Sequence, residues 1–193
     1  MDLNVERTRL EQETGEPLHT VRITPDFEAS DQCRGAGVVV VAGEWGLTQQ
    51  NEDRFLKPLA EYGFFVVGID LVRGQVLAPG KDAEAAARVA SLNYDLAIDD
   101  ISSALLYLRE MCSGRIGVVG IDVGGAVAME AATVLPQIDA VVHAGGPPPR
   151  KTARLARTRS SFQLHRGTRG NPISDELVSQ MLERVRPSKQ TIN

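Results

Sequence analysis

The sequence predicts an α/β fold with a mostly parallel central sheet and helices on both faces. Apolar runs at 37–42, 64–69 and 115–119 have the continuous, β-branched hydrophobicity typical of strands that are buried on both sides. Segments with helical spacing of apolar residues, at 51–62 and 95–109, alternate with these strands. Such alternation favours right-handed crossovers between parallel neighbours, and it therefore predicts the doubly covered sheet.

Shorter segments complete the predicted fold. The stretches 5–10 and 18–23 flank a turn with Gly and Pro and predict an opening hairpin. The segments 71–92 and 144–160 show no clear periodicity, and we expect them to be loops that shape a pocket. The remaining predicted elements are a helix at 126–132, a strand at 138–143, a strand at 161–165 and a closing helix at 175–186.

Length and composition predict one α/β domain over residues 1–193. The chain is 42% hydrophobic, which suffices for a substantial core. No apolar run approaches the roughly 20 residues of a membrane helix, and the polar N terminus is unlike a signal peptide, so we expect a cytoplasmic protein without membrane contact. Cys33 and Cys112 form neither a disulfide framework nor a metal-binding spacing, and we expect no metal and no cofactor.

The net charge of −4 hides a marked asymmetry along the chain. Residues 1–149 contain 11 basic and 22 acidic residues, whereas residues 150–193 contain 10 basic and 3 acidic ones. The basic segment 150–159 is either a solvated face or a docking site for an anionic ligand or carrier. No aromatic residue interleaves with its charges, so nucleic acid is not an expected partner.

A glycine-flanked turn follows the predicted strand at 115–119. The sequence GIDVGG at 120–125 has the layout of a nucleophile elbow, in which a strand, a sharp turn and a helix expose one central residue. That central residue is Asp122, where serine or cysteine is expected. The pattern thus indicates the fold and, at the same time, an unusual chemistry.

Polar side chains follow four neighbouring strands of the predicted sheet. Glu44 comes after the first buried strand, Arg73 after the second and Asp122 after the third, and His143 ends the fourth. Ligands of open parallel sheets bind beyond the carboxyl ends of the strands. We therefore expect these four residues to line one small-molecule site.

Four segments resemble the dienelactone hydrolase family of α/β-hydrolases. They are VVAGEWGL at 40–47, LAEYGF at 59–64, GIDL at 68–71 and GVVGIDVGGAVA at 117–128. The resemblance covers roughly 17–186 and is specific between 37 and 145. It implies an α/β-hydrolase fold and hydrolysis of lactones or esters by a Cys or Ser nucleophile, a histidine base and an orienting aspartate.

The resemblance also assigns roles around the nucleophile position. Glu44 matches a family glutamate that helps to control the nucleophile, and Arg73 lies near a family arginine that holds the substrate carboxylate. The backbone N–H groups of Trp45 and Val123 match the family oxyanion hole. These donors need no particular side chain.

The chain departs from the family pattern at every member of the triad. Asp122 replaces the nucleophile, and Gly170 stands where the family aspartate is expected. The sequence ends before the strand that would carry the family histidine. None of its three histidines matches that position: His19, His143 and His165. This inventory predicts a divergent member that lacks the usual triad.

Three chemical interpretations of Asp122 remain open. It can attack as a carboxylate and form an ester intermediate, with His143 as the replacement base, unless His143 is only a hydrogen-bonded structural residue. Asp122 and Glu44 can instead form a close acidic pair that shares a proton for general acid catalysis. In the structural alternative, Glu44 binds backbone amides and Asp122 caps the following helix.

Three functional hypotheses follow. The first is a hydrolase-like enzyme that acts on a small ester, lactone or carboxylic acid through Asp122. The second is an inactive relative that binds a ligand or partner, and the third is an acyl-transfer or cyclisation enzyme of secondary metabolism. The missing histidine favours the second and third hypotheses, whereas retention of Glu44, Arg73 and an acidic elbow residue favours the first and third. The shortened sheet leaves an edge that invites pairing, which predicts a homodimer.

Overall fold

A computed structural model describes residues 3–10, 17–25, 35–150, 155 and 158–165. Its centre is a seven-stranded sheet with the spatial order β1-β2-β4-β3-β5-β6-β7. The strands are β1 (Leu3–Leu10), β2 (Leu18–Pro25), β3 (Gly37–Ala42), β4 (Phe65–Asp70), β5 (Ile116–Ile121), β6 (Ala140–Ala144) and β7 (Ser161–His165).

The sheet is mostly parallel, as predicted. The opening hairpin, β1 and β2, is antiparallel, and β2 also pairs antiparallel with β4. Every other pairing is parallel. The register sets Ala42 beside Asp70, and Gly120 beside His143, so the carboxyl ends of four strands meet at one edge. The predicted convergence of site residues at this edge has its geometric basis here.

Helices cover both faces of the sheet because the buried strands are apolar on both sides. The described helices are α1 (Gln49–Asn51), α2 (Lys57–Glu61), α3 (Asp82–Ser91), α4 (Tyr94–Met111) and α5 (Val123–Ala131), with a π-helical turn, Glu52–Leu56, between α1 and α2.

The two core clusters lie on opposite faces of β3. Val39 and Val41 pack in a cluster with residues of α4 and α5, while Val38 and Val40 pack in a cluster with the α1–α2 segment. Alternate side chains of a strand point to opposite faces, so a strand with four consecutive buried valines must be covered twice. Helix α4 is capped at its N terminus by Asn93, whose Oδ1 accepts hydrogen bonds from the N–H groups of Asp95 and Leu96.

One element was missed in the sequence. The predicted loop 71–92 contains helix α3, which has a single buried residue, Ala85. Val89 is the only large apolar residue of this alanine-rich helix, so the segment lacks the strong hydrophobic stripe of the other helices, although its intrinsic helix propensity is high. The other predicted elements over the described residues exist, with ends that differ by at most three residues. The predicted helix at 175–186 and Cys33 lie outside the described residues, and Cys112 is buried.

Candidate active site

The predicted elbow is a sharp turn between β5 and α5. Its central residue, Asp122, has φ 51° and ψ −123°, a conformation that side-chain-bearing residues rarely adopt. A Cβ on Gly120 would lie 2.3 Å from the Gly124 carbonyl oxygen, and one on Gly124 would lie 2.4 Å from the Val41 carbonyl oxygen. Both glycines are therefore required by the close approach of helix and strand.

Asp122 is half-buried, and three glycines lie close to it: Gly43, Gly145 and Gly146. A Cβ on Gly43 would lie 3.0 Å from the Asp122 Cβ, and one on Gly145 would lie 3.3 Å from Asp122 Oδ1. Gly146, at φ 80°, lies so close that its Cβ would be 2.3 Å from the Asp122 carbonyl carbon. Asp122 N–H donates to the Ala144 carbonyl at 3.1 Å. Strand ends and the loop after β6 thus form the floor of the site.

The structural alternative for the two acids is half right. Asp122 occupies the N-cap position of α5, yet its side chain makes no capping hydrogen bond, so the predicted cap is wrong. Glu44 does bind a backbone amide, because its Oε2 accepts from Val123 N–H at 3.3 Å. The structure therefore brings the Glu44 carboxylate to the residue next to Asp122. A ligand oxygen that uses the Val123 N–H has to displace this carboxylate.

Trp45 lies in a tight turn between β3 and α1. Gly46 N–H donates to the Gly43 carbonyl at 3.1 Å, which closes the turn around Glu44 and Trp45. The Trp45 carbonyl accepts from Leu77 N–H at 3.1 Å, so the turn is held against the segment that follows β4. The Trp45 N–H, a predicted oxyanion donor, therefore belongs to a turn that two backbone hydrogen bonds hold in place.

His143 is 4% exposed and lies beneath the first turn of α5. Its Nε2 is 2.9 Å from the Pro147 carbonyl oxygen, which only accepts, so Nε2 carries the proton. A Cβ on Gly125 would lie 2.9 Å from the other ring nitrogen, Nδ1. This is the hydrogen-bonded histidine of the structural alternative, and its predicted catalytic role stays a prediction.

Arg73 turns toward α4. Its Nη2 lies 2.9 Å from Asp100 Oδ1, in an ion pair whose carboxylate side chain is 2% exposed. Arg73 has φ 54°, and the buried Asp70 carboxylate fixes this turn by accepting from the N–H groups of Val72 and Gly74. The predicted role of Arg73 in binding a substrate carboxylate therefore competes with Asp100.

A cavity of about 290 Å³ lies beside this ion pair. It lies between the segment after β4 and the junction of α3 and α4, and Arg73, Arg88, Asn93 and Asp100 contribute its polar lining. Asp100 was missed in the sequence, although a signal existed. It is a charged residue among apolar neighbours on the buried face of an amphipathic helix, where a partner is required.

The loop after β6 is anchored at its far end by a buried acid on α5. Glu130, 3% exposed, accepts from Arg150 N–H at 2.7 Å and lies 3.5 Å from the Arg150 guanidinium. The guanidinium also covers the Tyr94 ring, 3.3 Å from its centre. Burial raises the pKa of Tyr94, and the positive charge of Arg150 opposes that rise. Arg150, one residue of the predicted docking segment, therefore has internal partners, while 151–154, 156 and 157 lie outside the described residues.

The profile of the dienelactone hydrolase family matches residues 24–193. The chain belongs to the dienelactone hydrolase family. A Klebsiella pneumoniae subsp. pneumoniae protein assigned as a dienelactone hydrolase superposes with a TM-score of 0.70 at 13% identity, covering 95% of this chain and 98% of that one. A dienelactone hydrolase-like promiscuous phosphotriesterase from metagenomic libraries superposes with a TM-score of 0.69 at 19% identity, covering 94% and 76%.

A cold-adapted esterase from an Arctic intertidal metagenomic library is also similar. It superposes with a TM-score of 0.66 at 14% identity, covering 95% of each chain. No curated protein matches the sequence. At these identities the similarity shows the α/β-hydrolase fold, and the chemistry of this dienelactone hydrolase family member has to be argued from its own residues.

Within the part of the chain that the structure describes, no group of three or more His, Cys, Asp or Glu side chains could hold a metal ion. No helix there is long and apolar enough to cross a membrane.

Proposed function

We propose that this dienelactone hydrolase family member acts on a small ester, lactone or related carboxylic acid derivative, with Asp122 as the catalytic group. The backbone of Asp122 carries the argument. A non-glycine residue at φ 51°, ψ −123° costs about 1–3 kcal/mol, and such strain persists mainly at functional sites. Glycine would remove the strain, so a carboxylate retained at this position supports a chemical role.

General base catalysis needs the fewest groups at this site. The Asp122 carboxylate takes a proton from a water molecule, and the water oxygen attacks the substrate carbonyl carbon. The resulting oxyanion binds the Trp45 N–H, and the Val123 N–H once Glu44 has moved away. When the carbon–oxygen bond to the leaving group breaks, Asp122 returns its proton to the leaving oxygen. No histidine is required, which suits the engagement of His143 with Pro147.

The Asp122→Asn variant tests this proposal. Asparagine keeps the shape of the side chain but cannot take a proton, and general base catalysis contributes about 10²–10⁴-fold. We expect hydrolysis of small activated esters and lactones to fall by that factor, with a melting temperature close to that of the unchanged protein. The matched control is Asp99→Asn, at an exposed position on α4, which should hydrolyse these substrates normally.

Product and isotope analysis would distinguish general base catalysis from a covalent mechanism, acyl transfer and cyclisation. Turnover in ¹⁸O-labelled water that places label in Asp122 would replace the general base with a covalent carboxylate mechanism. Products formed only when an alcohol or amine acceptor is added would favour acyl transfer, whereas products with an internal ring would favour cyclisation. Full activity of Asp122→Asn would exclude Asp122 as the catalytic group.

A second candidate function is binding without turnover. It is favoured by the ion pair of Arg73 with Asp100 and the hydrogen bond of His143 to Pro147, because both predicted site residues have partners inside the protein. In that case small carboxylates and esters should raise the melting temperature without forming product. Asp122→Asn would then alter affinity only.

A further inference from the structure

Arg88 connects helix α3 to the backbone of the elbow region. Its Nη1 donates to the Glu44 carbonyl oxygen at 3.2 Å and to the carbonyl oxygen of Gln75. The side chain is half-buried and lies at the wall of the cavity beside α4. Arg88 thus contacts the main chain of Glu44, a predicted site residue, and not its carboxylate.

The carbonyl that Arg88 holds belongs to the same peptide group as a predicted oxyanion donor. The peptide between Glu44 and Trp45 is planar and trans, so its C=O and N–H point in opposite directions. A hydrogen bond that fixes the direction of the Glu44 carbonyl therefore also fixes the direction of the Trp45 N–H. Arg88 acts on one side of this peptide, and the N–H points away from the guanidinium.

This peptide is the one group of the turn that can rotate without opening it. The turn is closed by the Gly46 N–H and the Gly43 carbonyl, and Glu44 and Trp45 are its two central residues. The two common turn types differ by rotation of the central peptide, with the closing hydrogen bond kept. The rotated form would give Trp45 a positive φ, which costs about 1–2 kcal/mol, and Trp45 does not have one here. The hydrogen bond from Arg88 adds to that preference.

We infer that Arg88 is a positioning residue that orients the Trp45 N–H toward the substrate oxygen. The inference rests on the proposed function, since it assumes that this N–H stabilises an oxyanion. It predicts an effect on the rate of reaction rather than on substrate affinity, because the oxyanion develops only in the transition state. It also gives helix α3 a role, although most of its surface is exposed.

The kinetic test compares Arg88→Met with Arg109→Met. Methionine keeps an apolar stem and removes the donors. Arg109 is a matched control, because its guanidinium also donates to two carbonyls, those of Gly114 and Gln137, away from the elbow. Loss of an oxyanion donor lowers kcat about 10²–10³-fold, and misorientation should lower it at least about tenfold. We expect this fall in kcat with KM changed less than about twofold, and partial recovery in Arg88→Lys.

A spectroscopic test does not depend on turnover. Trp45 is the only tryptophan, so protein labelled with ¹⁵N-tryptophan has one backbone amide signal that reports on this peptide. Arg88→Met should move that signal and speed its hydrogen exchange, while Arg109→Met should leave it in place. If no substrate is turned over, the proposed function fails, and the amide signal alone decides whether Arg88 orients the peptide. An unmoved signal, or a kcat equal to that of Arg109→Met, would overturn the inference.

Discussion

Replacing Asp122 with glycine is expected to abolish hydrolysis and to stabilise the protein. Glycine adopts φ 51°, ψ −123° without strain, which releases about 1–3 kcal/mol. The greater freedom of glycine in the unfolded chain offsets about 0.4–1 kcal/mol of this gain. A net increase of about 1 kcal/mol in the free energy of unfolding should appear in urea titrations, together with the loss of the catalytic carboxylate.

Asp122→Ala is the control for this experiment. Alanine removes the same carboxylate but keeps the Cβ that makes the conformation unfavourable, so it should be inactive without being stabilised. The difference between the glycine and alanine variants, after adding about 0.4–1 kcal/mol for the freedom of glycine in the unfolded chain, measures the strain. Equal free energies of unfolding for the two variants would limit the strain to about 0.4–1 kcal/mol, and the main support for a catalytic Asp122 would be lost.

Replacing Gly146 with alanine is expected to be among the most damaging single substitutions. The new Cβ would lie 2.3 Å from the Asp122 carbonyl carbon and 2.4 Å from its oxygen, and both contacts are with backbone that cannot rotate away. The positive φ of 80° adds strain. We expect a loss of about 3–5 kcal/mol in the free energy of unfolding, which is a large part of the stability of an ordinary domain.

Gly80 separates the two causes of this loss. It has a similar φ of 86°, but no atom lies within 4 Å of the position that a Cβ would take. Gly80→Ala should therefore cost only about 1 kcal/mol, from strain alone. If both variants lose the same free energy, the loop after β6 does not press on the elbow as the structure shows. Surviving Gly146→Ala protein should also hydrolyse poorly, because the floor under Asp122 has moved.

The parts of the fold that were predicted are those with a strong local signal. Strands β3, β4 and β5 are continuous apolar runs. The glycines of the elbow predict a tight turn, because side chains at their positions would collide with backbone. Helix α3 carried no such signal, because nearly all of its surface faces solvent. The hydrogen bond from Arg88 of this helix to the Glu44 carbonyl joins residues 44 positions apart and depends on how the segment after β4 folds.

The candidate site was predicted in position and less well in its contacts. The strand register dictates that Glu44, Arg73, Asp122 and His143 lie at one edge, and a parallel sheet leaves little alternative. The partners of these side chains are different in kind. Pro147 offers His143 a main-chain oxygen, and Val123 offers Glu44 a main-chain N–H, and every residue type has such groups. A pattern of side chains in the sequence therefore cannot predict these main-chain partners.

The three glycines that lie against Asp122, at positions 43, 145 and 146, limit how the ligand preference of this protein can change. A larger residue at position 43 or 146 would collide with the elbow, and one at 145 would lie 3.3 Å from Asp122 Oδ1. New ligand preferences therefore cannot arise from substitutions beneath Asp122. They must come from the outer walls, which are the exposed residues of the segment 71–77 and the solvent-facing side of α3. Directed evolution toward other substrates should accumulate its useful changes in those two stretches.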